Sequence, residues 1–190
     1  GRALRGDLGR SIRTREPALE GLLARFPVTL HLTAMAMVVA LLIAVPVGIV
    51  SAVRPNSTAD KAGTILAMSG VAVPDFWLGI MLIYTFSVWI QVLPPSGYVP
   101  LSQGLWPSLQ SMLLPALSLG MALAALVMRQ LRSSLIEALR QEFVMVARAK
   151  GLPEAVVVGR HALKNALIPV VTVVGLQTGR LFGGAVVVET

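Results

Sequence analysis

Long apolar runs separated by short polar ones set the plan of this 190-residue chain. Residues 26–53 contain no Asp, Glu, Lys or Arg, and 28 helical residues cross a hydrocarbon core of about 30 Å with length to spare for tilt. Along this run Ala36, Ala40, Ala44, Gly48 and Ala52 recur every fourth residue, which predicts a face of small residues that a neighbouring helix can approach closely. Pro46 lies inside it as a candidate kink. A polar turn follows at 54–61, and the next 67 residues, 62–128, carry one charge, Asp75. Two spans fit there, about 64–92 and 108–128, divided by 93–107, whose four prolines and two glycines end a helix. A fourth span is predicted over about 165–188. The small-residue device returns at Ala116, Gly120 and Ala124, and again at Gly175, Gly179 and Gly183, where it predicts helix packing. The expected fold is an all-α membrane protein, a polytopic bundle of about four transmembrane helices.

One long stretch between apolar runs is charged, 137–164. Ser134 and Glu137 have the spacing of a reciprocal helix cap and predict a helix from near Leu135, with Leu135, Leu139, Phe143 and Val146 as its apolar stripe. Gly151 stands where a left-handed cap ends a helix, and Pro153 can open the next one. That second helix, 153–158, is too short to be stable alone in water and needs a surface to pack on.

Composition fixes the class. Fifty-five per cent of residues are hydrophobic and 13% charged, and the charges are segregated between the apolar runs. The net charge of +7 points to anionic lipid as a partner, not nucleic acid, because no basic stripe interleaved with aromatics accompanies it. The turn 54–61 and the stretch 129–164 share one side of a four-span bundle and hold nine basic residues, against none in 93–107. The positive-inside rule puts them in the cytoplasm. Residues 1–25, with six arginines, read as an extramembrane or interfacial segment; they fall on the other side and oppose this orientation, with less weight because they lie in a long segment. Trp89, Tyr98 and Trp106 cluster at the expected interface.

Candidate chemistry is sparse. Asp75 follows Pro74 within an apolar run, where a carboxylate is costly; it either lines a translocation path or bonds backbone groups freed by the proline or an arginine. Arg180 lies in the last small-residue stripe and is the second path candidate. His31 reads as a structural, hydrogen-bonded residue. No phosphate-binding loop is present, so ATP hydrolysis by this chain is not expected. There is no cysteine, and two histidines 130 residues apart make no metal motif. A catalytic set is likewise absent, and no cofactor is expected on this chain.

The run 147–151 (ARAKG), nine residues, 161–164 (HALK) and 165–169 (NALIP) resemble the EAA loop of permease subunits of ATP-binding-cassette (ABC) importers. Only Ala147, Gly151 and Leu163 match the general loop pattern; its opening Glu-Ala falls on Met145 and Val146, and its Ile-x-Leu-Pro on His161, Ala162, Leu163 and Lys164. The chain is more similar to the dipeptide/oligopeptide members of the family in ARAKGL, RHALKNALIPV, GGAVVVET and GDLGRSI. The resemblance covers nearly all of it and implies a first and a last span beyond these residues. It implies a permease domain at 26–190 in a bacterial-type inner membrane, with a cytoplasmic coupling loop at 129–164. It also implies a second homologous permease subunit, two ATPase subunits that bind ATP and magnesium, and an extracytoplasmic solute-binding protein. Ala147, Gly151, Leu152, Pro153, Glu154, Val156, Arg160, His161 and Leu163 are then the candidates for ATPase coupling: Gly151 for the corner, Leu152 and Val156 for apolar docking, Glu154 or Arg160 for polar contacts. The alternative is an ion-gradient-driven secondary transporter with Asp75 as its coupling carboxylate.

Overall fold

The computed structural model describes residues 18–95 and 97–188, with side chains from Leu19 to Gly179 other than those of Glu20, Leu22 and Ala24. The described residues form an all-α bundle. Helix α1 runs Ala18–Val53, α2 Thr58–Ala72, and α3 Asp75–Ile83, extended by a π-helical turn at Tyr84–Trp89. After a 3₁₀ turn at Leu101–Gln103 come α4, Leu105–Leu139, and α5, Glu142–Ala149. Helix α6, Glu154–Val156, passes through a π-helical turn at Val157–Ala162 into α7, Leu163–Val188. Three helical stretches are long and apolar enough to cross a membrane, Arg25–Val53, Leu105–Leu139 and Glu154–Gly179. The pair Thr58–Ala72 and Asp75–Trp89 makes a fourth if its two halves count as one span.

Helix α4 is the centre, packed by α1, α2, α3 and α7. Its partner α1 presents the small-residue face read from the sequence: Ala36, Ala40, Ala44, Gly48 and Ala52 are all buried. The approach is close enough that a Cβ on Gly120 of α4 would lie 2.9 Å from the Ala36 carbonyl oxygen. Leu131, Leu135 and Val127 of α4 are fully buried at this seam. Pro46 is accommodated within α1 without ending it.

Three expectations are corrected. The run expected to be one span at 64–92 is broken. Val73 is extended (φ −84°, ψ 124°) because Pro74 disfavours the helical region in the residue before it, and α2 and α3 meet at 100°. No helix starts near Leu135: α4 continues to Leu139, and Ser134 accepts a hydrogen bond from Gln130 Nε2 (3.0 Å) instead of capping. The stripe assigned to that helix is split by the turn at Arg140–Gln141, so Leu135 is buried while Phe143 and Val146 are exposed, and Val144 and Ala147 are buried in their place. Finally, the helix opened by Pro153 is not a separate short element, because it runs on into α7 and draws its stability from that helix.

Candidate functional site

The charged stretch folds into a corner at the basic end of the bundle. Helix α5 has Glu142 in its first turn and Arg148 in its last, each favourable to the helix dipole. It ends through Gly151, whose φ of +75° is left-handed. Leu152 N donates to Ala147 O (3.3 Å) and Gly151 N to Arg148 O (2.9 Å), the crossed pair that closes a helix of this kind. A Cβ at Gly151 would meet nothing within 4 Å, so the backbone dihedral, not space, calls for glycine. The Pro153 carbonyl then accepts from Val156 N (2.9 Å) and Val157 N (3.1 Å) and starts the next helix.

Across the corner Arg148 grips Glu154 with two bonds, Nη2 to Oε1 at 2.6 Å and Nε to Oε2 at 3.1 Å. Both side chains are about half exposed. Beneath them Val144, Ala147, Val157, Val158 and Ala162 are buried. Leu163 packs on the same core. Above them Phe143, Met145, Val146, Leu152 and Val156 are exposed. Beside the corner an open groove of about 340 Å³ lies between Ile49 and Val53 of α1 and Glu154, Ala155, Val158, Gly159 and Leu163. The residues named for coupling thus divide. Gly151, Leu152, Pro153, Glu154, Val156 and Arg160 are at the surface, whereas Ala147 is buried, and His161 and Leu163 are partly buried.

Sequence reading passed over the strongest polar contact of this end. Arg132 of α4 donates Nε and Nη2 to the two carboxylate oxygens of Asp60 at 2.6 and 2.7 Å. The Asn56 N–H donates to the same carboxylate at 2.8 Å, and Ser57 caps α2 by accepting from Asp60 N (3.2 Å). Asp60 is 3% exposed and lies in the first turn of α2, ahead of the apolar run that begins at residue 62. The Arg132 guanidinium, aided by Asn56 and opposed by burial, lowers its pKa to about 2. A signal existed: Asp60, Gly63, Ala67 and Gly70 fall at steps of three, four and three, and all are buried on one face of α2.

Asp75 opens α3 at the bend, with its side chain exposed and its carbonyl accepting Ser118 Oγ at 2.6 Å. Among the described residues its carboxylate makes no ion pair. Gly175 and Gly179 lie on an exposed face of α7, where an added Cβ would meet nothing within 4 Å. The side chain of Arg180 and the surroundings of Gly183 lie outside the described residues, as do 1–17 and the GDLGRSI motif. His31 stacks edge-on against Tyr98 at 6.1 Å, and its Nδ1 has no hydrogen-bond partner. Among the described residues no three His, Cys, Asp or Glu side chains are grouped to hold a metal.

Comparison with known proteins gives the family of the chain. Residues 44–190 match the family described as binding-protein-dependent transport system inner membrane component. The chain is 40% identical over 205 residues to the dipeptide transport system permease protein DppB of Alkalihalophilus pseudofirmus, covering 97% of this chain and 62% of that protein. It is 42% identical over 187 residues to the glutathione transport system permease protein GsiC of Escherichia coli O6:H1, covering 98% and 58%. To the probable D,D-dipeptide transport system permease protein DdpB of Escherichia coli K12 it is 41% identical over 206 residues, covering 97% and 61%. The chain therefore spans about three fifths of the length of these relatives. With a match over most of its length and three or four apolar helices in the described residues, the chain belongs to the family of binding-protein-dependent transport system inner membrane components.

Proposed function

We propose that this chain is a membrane-spanning permease subunit of an ATP-driven ABC importer for di- or oligopeptides. Residues 26–190 form its membrane domain, and 129–164 carry the cytoplasmic coupling segment. One observation carries the reading. At the basic end of the bundle the Gly151 corner is held from below by buried Val144, Ala147 and Val157, and clamped across by Arg148 and Glu154, yet its outer apolar side chains Leu152 and Val156 are uncovered. A corner so fixed to α7 and so bare outside is suited to receive a push from a docked protein. The family name, with its dependence on a binding protein, supports an external solute-binding protein as a partner, and the names of the relatives support peptides as solutes. A second homologous permease and two ATPase subunits complete the proposed assembly. ATP binding supplies the bias, since closure of the ATPase pair favours one of two permease states by the contacts it makes in that state alone.

The test uses the absence of cysteine from the chain. Leu152→Cys is placed in the full-length protein, with Gly97→Cys as control, and both are probed with a membrane-impermeant maleimide and a crosslinker. The thiol of the Leu152→Cys variant is expected to react only from the cytoplasm and to crosslink to an ATPase with a yield that changes with ATP. Labelling from outside, or uptake that survives loss of every ATPase and collapses with the proton or sodium gradient, overturns the proposal in favour of a gradient-driven transporter.

A further inference from the structure

Helices α2 and α4 run antiparallel and hold one register along their whole contact. Asp60 faces Arg132; a Cβ at Gly63 would press first on Ser51 Oγ (2.8 Å) and Val47 Cγ1 (2.9 Å) of α1 and then on the Met128 terminal methyl (3.1 Å); one at Gly70 would lie 3.1 Å from the Met121 carbonyl oxygen and 3.3 Å from the Ala125 Cβ; and past the end of α2 the Ser118 hydroxyl reaches the carbonyl of Asp75, the first residue of α3. The middle of this seam is apolar, with Gly63, Ala67 and Gly70 of α2 against Met121, Ala125 and Met128 of α4. Such a surface gives close contact but no directional bond. Its two ends are different in kind. At the basic end Arg132 grips Asp60 with two charge-assisted bonds at 2.6 and 2.7 Å, and the carboxylate is further fixed by the Asn56 N–H. At the other end Ser118 donates to the backbone of the first residue after the Pro74 bend, at 2.6 Å. Ser118 and Arg132 are 14 residues apart on one continuous helix, about 21 Å along its axis.

We propose that these two clamps make Asp60, Arg132 and Ser118 positioning residues for transport: they tie α4 to the start of α2 and, past the bend, to the start of α3, so that a push on the corner at Gly151 is delivered through α4 to both arms of the bend at Val73–Pro74. The proposal rests on the reading of this chain as an importer permease. Its mechanics follow from the connections. The corner joins α4 through α5 and the short turn at Arg140–Gln141, and Arg132 sits seven residues before the end of α4, about 10 Å away. A displacement of the end of α4 reaches Arg132 through unbroken helix. There the ion pair hands it to the first turn of α2, and Ser118 carries it to the start of α3. With either clamp open, one arm no longer follows α4 and the bend is not carried as a unit. Asp75, exposed at that bend, moves with it in the latched state.

The experiment reads movement at the bend in the assembled complex, with no need to know the solute. Phe76→Cys, at a side chain 73% exposed, carries a bimane label next to the bend, in a chain that otherwise lacks cysteine. ATP is expected to shift the emission of the label. Asp60→Asn, Arg132→Gln and Ser118→Ala are expected to reduce the shift at least fivefold while ATP hydrolysis stays within twofold. The exchange Asp60→Arg with Arg132→Asp, and Ser118→Thr, are expected to restore it, which a role in folding alone would not produce together with unchanged hydrolysis. A full-sized shift in Asp60→Asn or Ser118→Ala overturns the proposal, and so does a loss that neither the exchange nor the threonine recovers. If Asp60→Asn does not reach the membrane, the Ser118 pair of variants decides. No ATP-dependent shift in the otherwise unaltered labelled protein, with the Leu152→Cys variant still crosslinking to an ATPase, overturns the latch and leaves the permease reading standing. Absence of that crosslink is the failure of the permease reading itself.

Discussion

At the scale of single residues, two kinds of site carry most of the specificity: glycines where backbones nearly touch, and the one buried carboxylate among the described residues. Gly120 and Gly175 illustrate the first by contrast. A methyl on Gly120 would press on the Ala36 carbonyl at 2.9 Å, and backbone cannot swing aside as a side-chain tip can. Gly120→Ala is therefore expected to lower stability by about 1–3 kcal/mol, as overpacking of a close seam does. Gly175→Ala meets open space and is expected to be neutral or to stabilise by up to about 1 kcal/mol through the unfolded chain. Thermal unfolding of the detergent-purified protein checks both, and equal effects would contradict the seam geometry.

Asp60 gives the second test. Its carboxyl is depressed from 3.8 to about 2, chiefly by the Arg132 hydrogen bond, so folding favours the ionised form. A depressed carboxyl contributes stability above its unfolded pKa and loses it as pH falls through the folded one, here between about pH 4 and about pH 2. The deficit of Asp60→Asn relative to the unaltered protein is expected to be about 2 kcal/mol and flat from about pH 5 to about pH 8. It should shrink below about pH 4. A deficit that widens on acidification would show that the ion pair is not its source.

At the scale of elements, the bend between α2 and α3 is the feature with the clearest cause. Pro74 holds Val73 extended, and Ser118 then fixes the restarted helix from outside. Pro74→Ala removes the first constraint only. Spin labels at Met68 and Tyr84, both exposed, are expected to show a broadened distance distribution in Pro74→Ala and a longer mean distance when Ser118→Ala is added. An unaltered distribution in the double variant would mean that packing against α4, not the proline, sets the 100° angle. The end of α4 offers the opposite lesson. No glycine or proline stands at Arg140–Gln141, and the helix stops there because turning lets Val144 and Ala147 reach the core, which a straight continuation would leave outside. A cap-like pair at Ser134 and Glu137 was present in the sequence and lost to that burial.

At the scale of the whole molecule, the bundle is built outward from α4, and its outer faces remain apolar. Leu42, Ile65, Phe76, Trp89, Ile168 and Leu176 are exposed, as suits a chain whose solvent is hydrocarbon. Its basic end is held by ion pairs and its corner by a glycine, whereas along the apolar spans, where hydrocarbon supplies no hydrophobic driving force between helices, small residues let the backbones approach closely. The sequence by itself determined the class of the protein, the small-residue face of α1 and the left-handed corner at Gly151. These depend on local facts: the length of an uncharged run, a step of four residues, and the steric freedom of one residue type. Tertiary structure alone decided the Asp60–Arg132 pair, 72 residues apart in the chain, the length of α4 and the direction of α3 beyond Pro74. Each of those is a choice among partners that only the packed bundle brings within reach, and no local preference encodes which partner a buried group will meet.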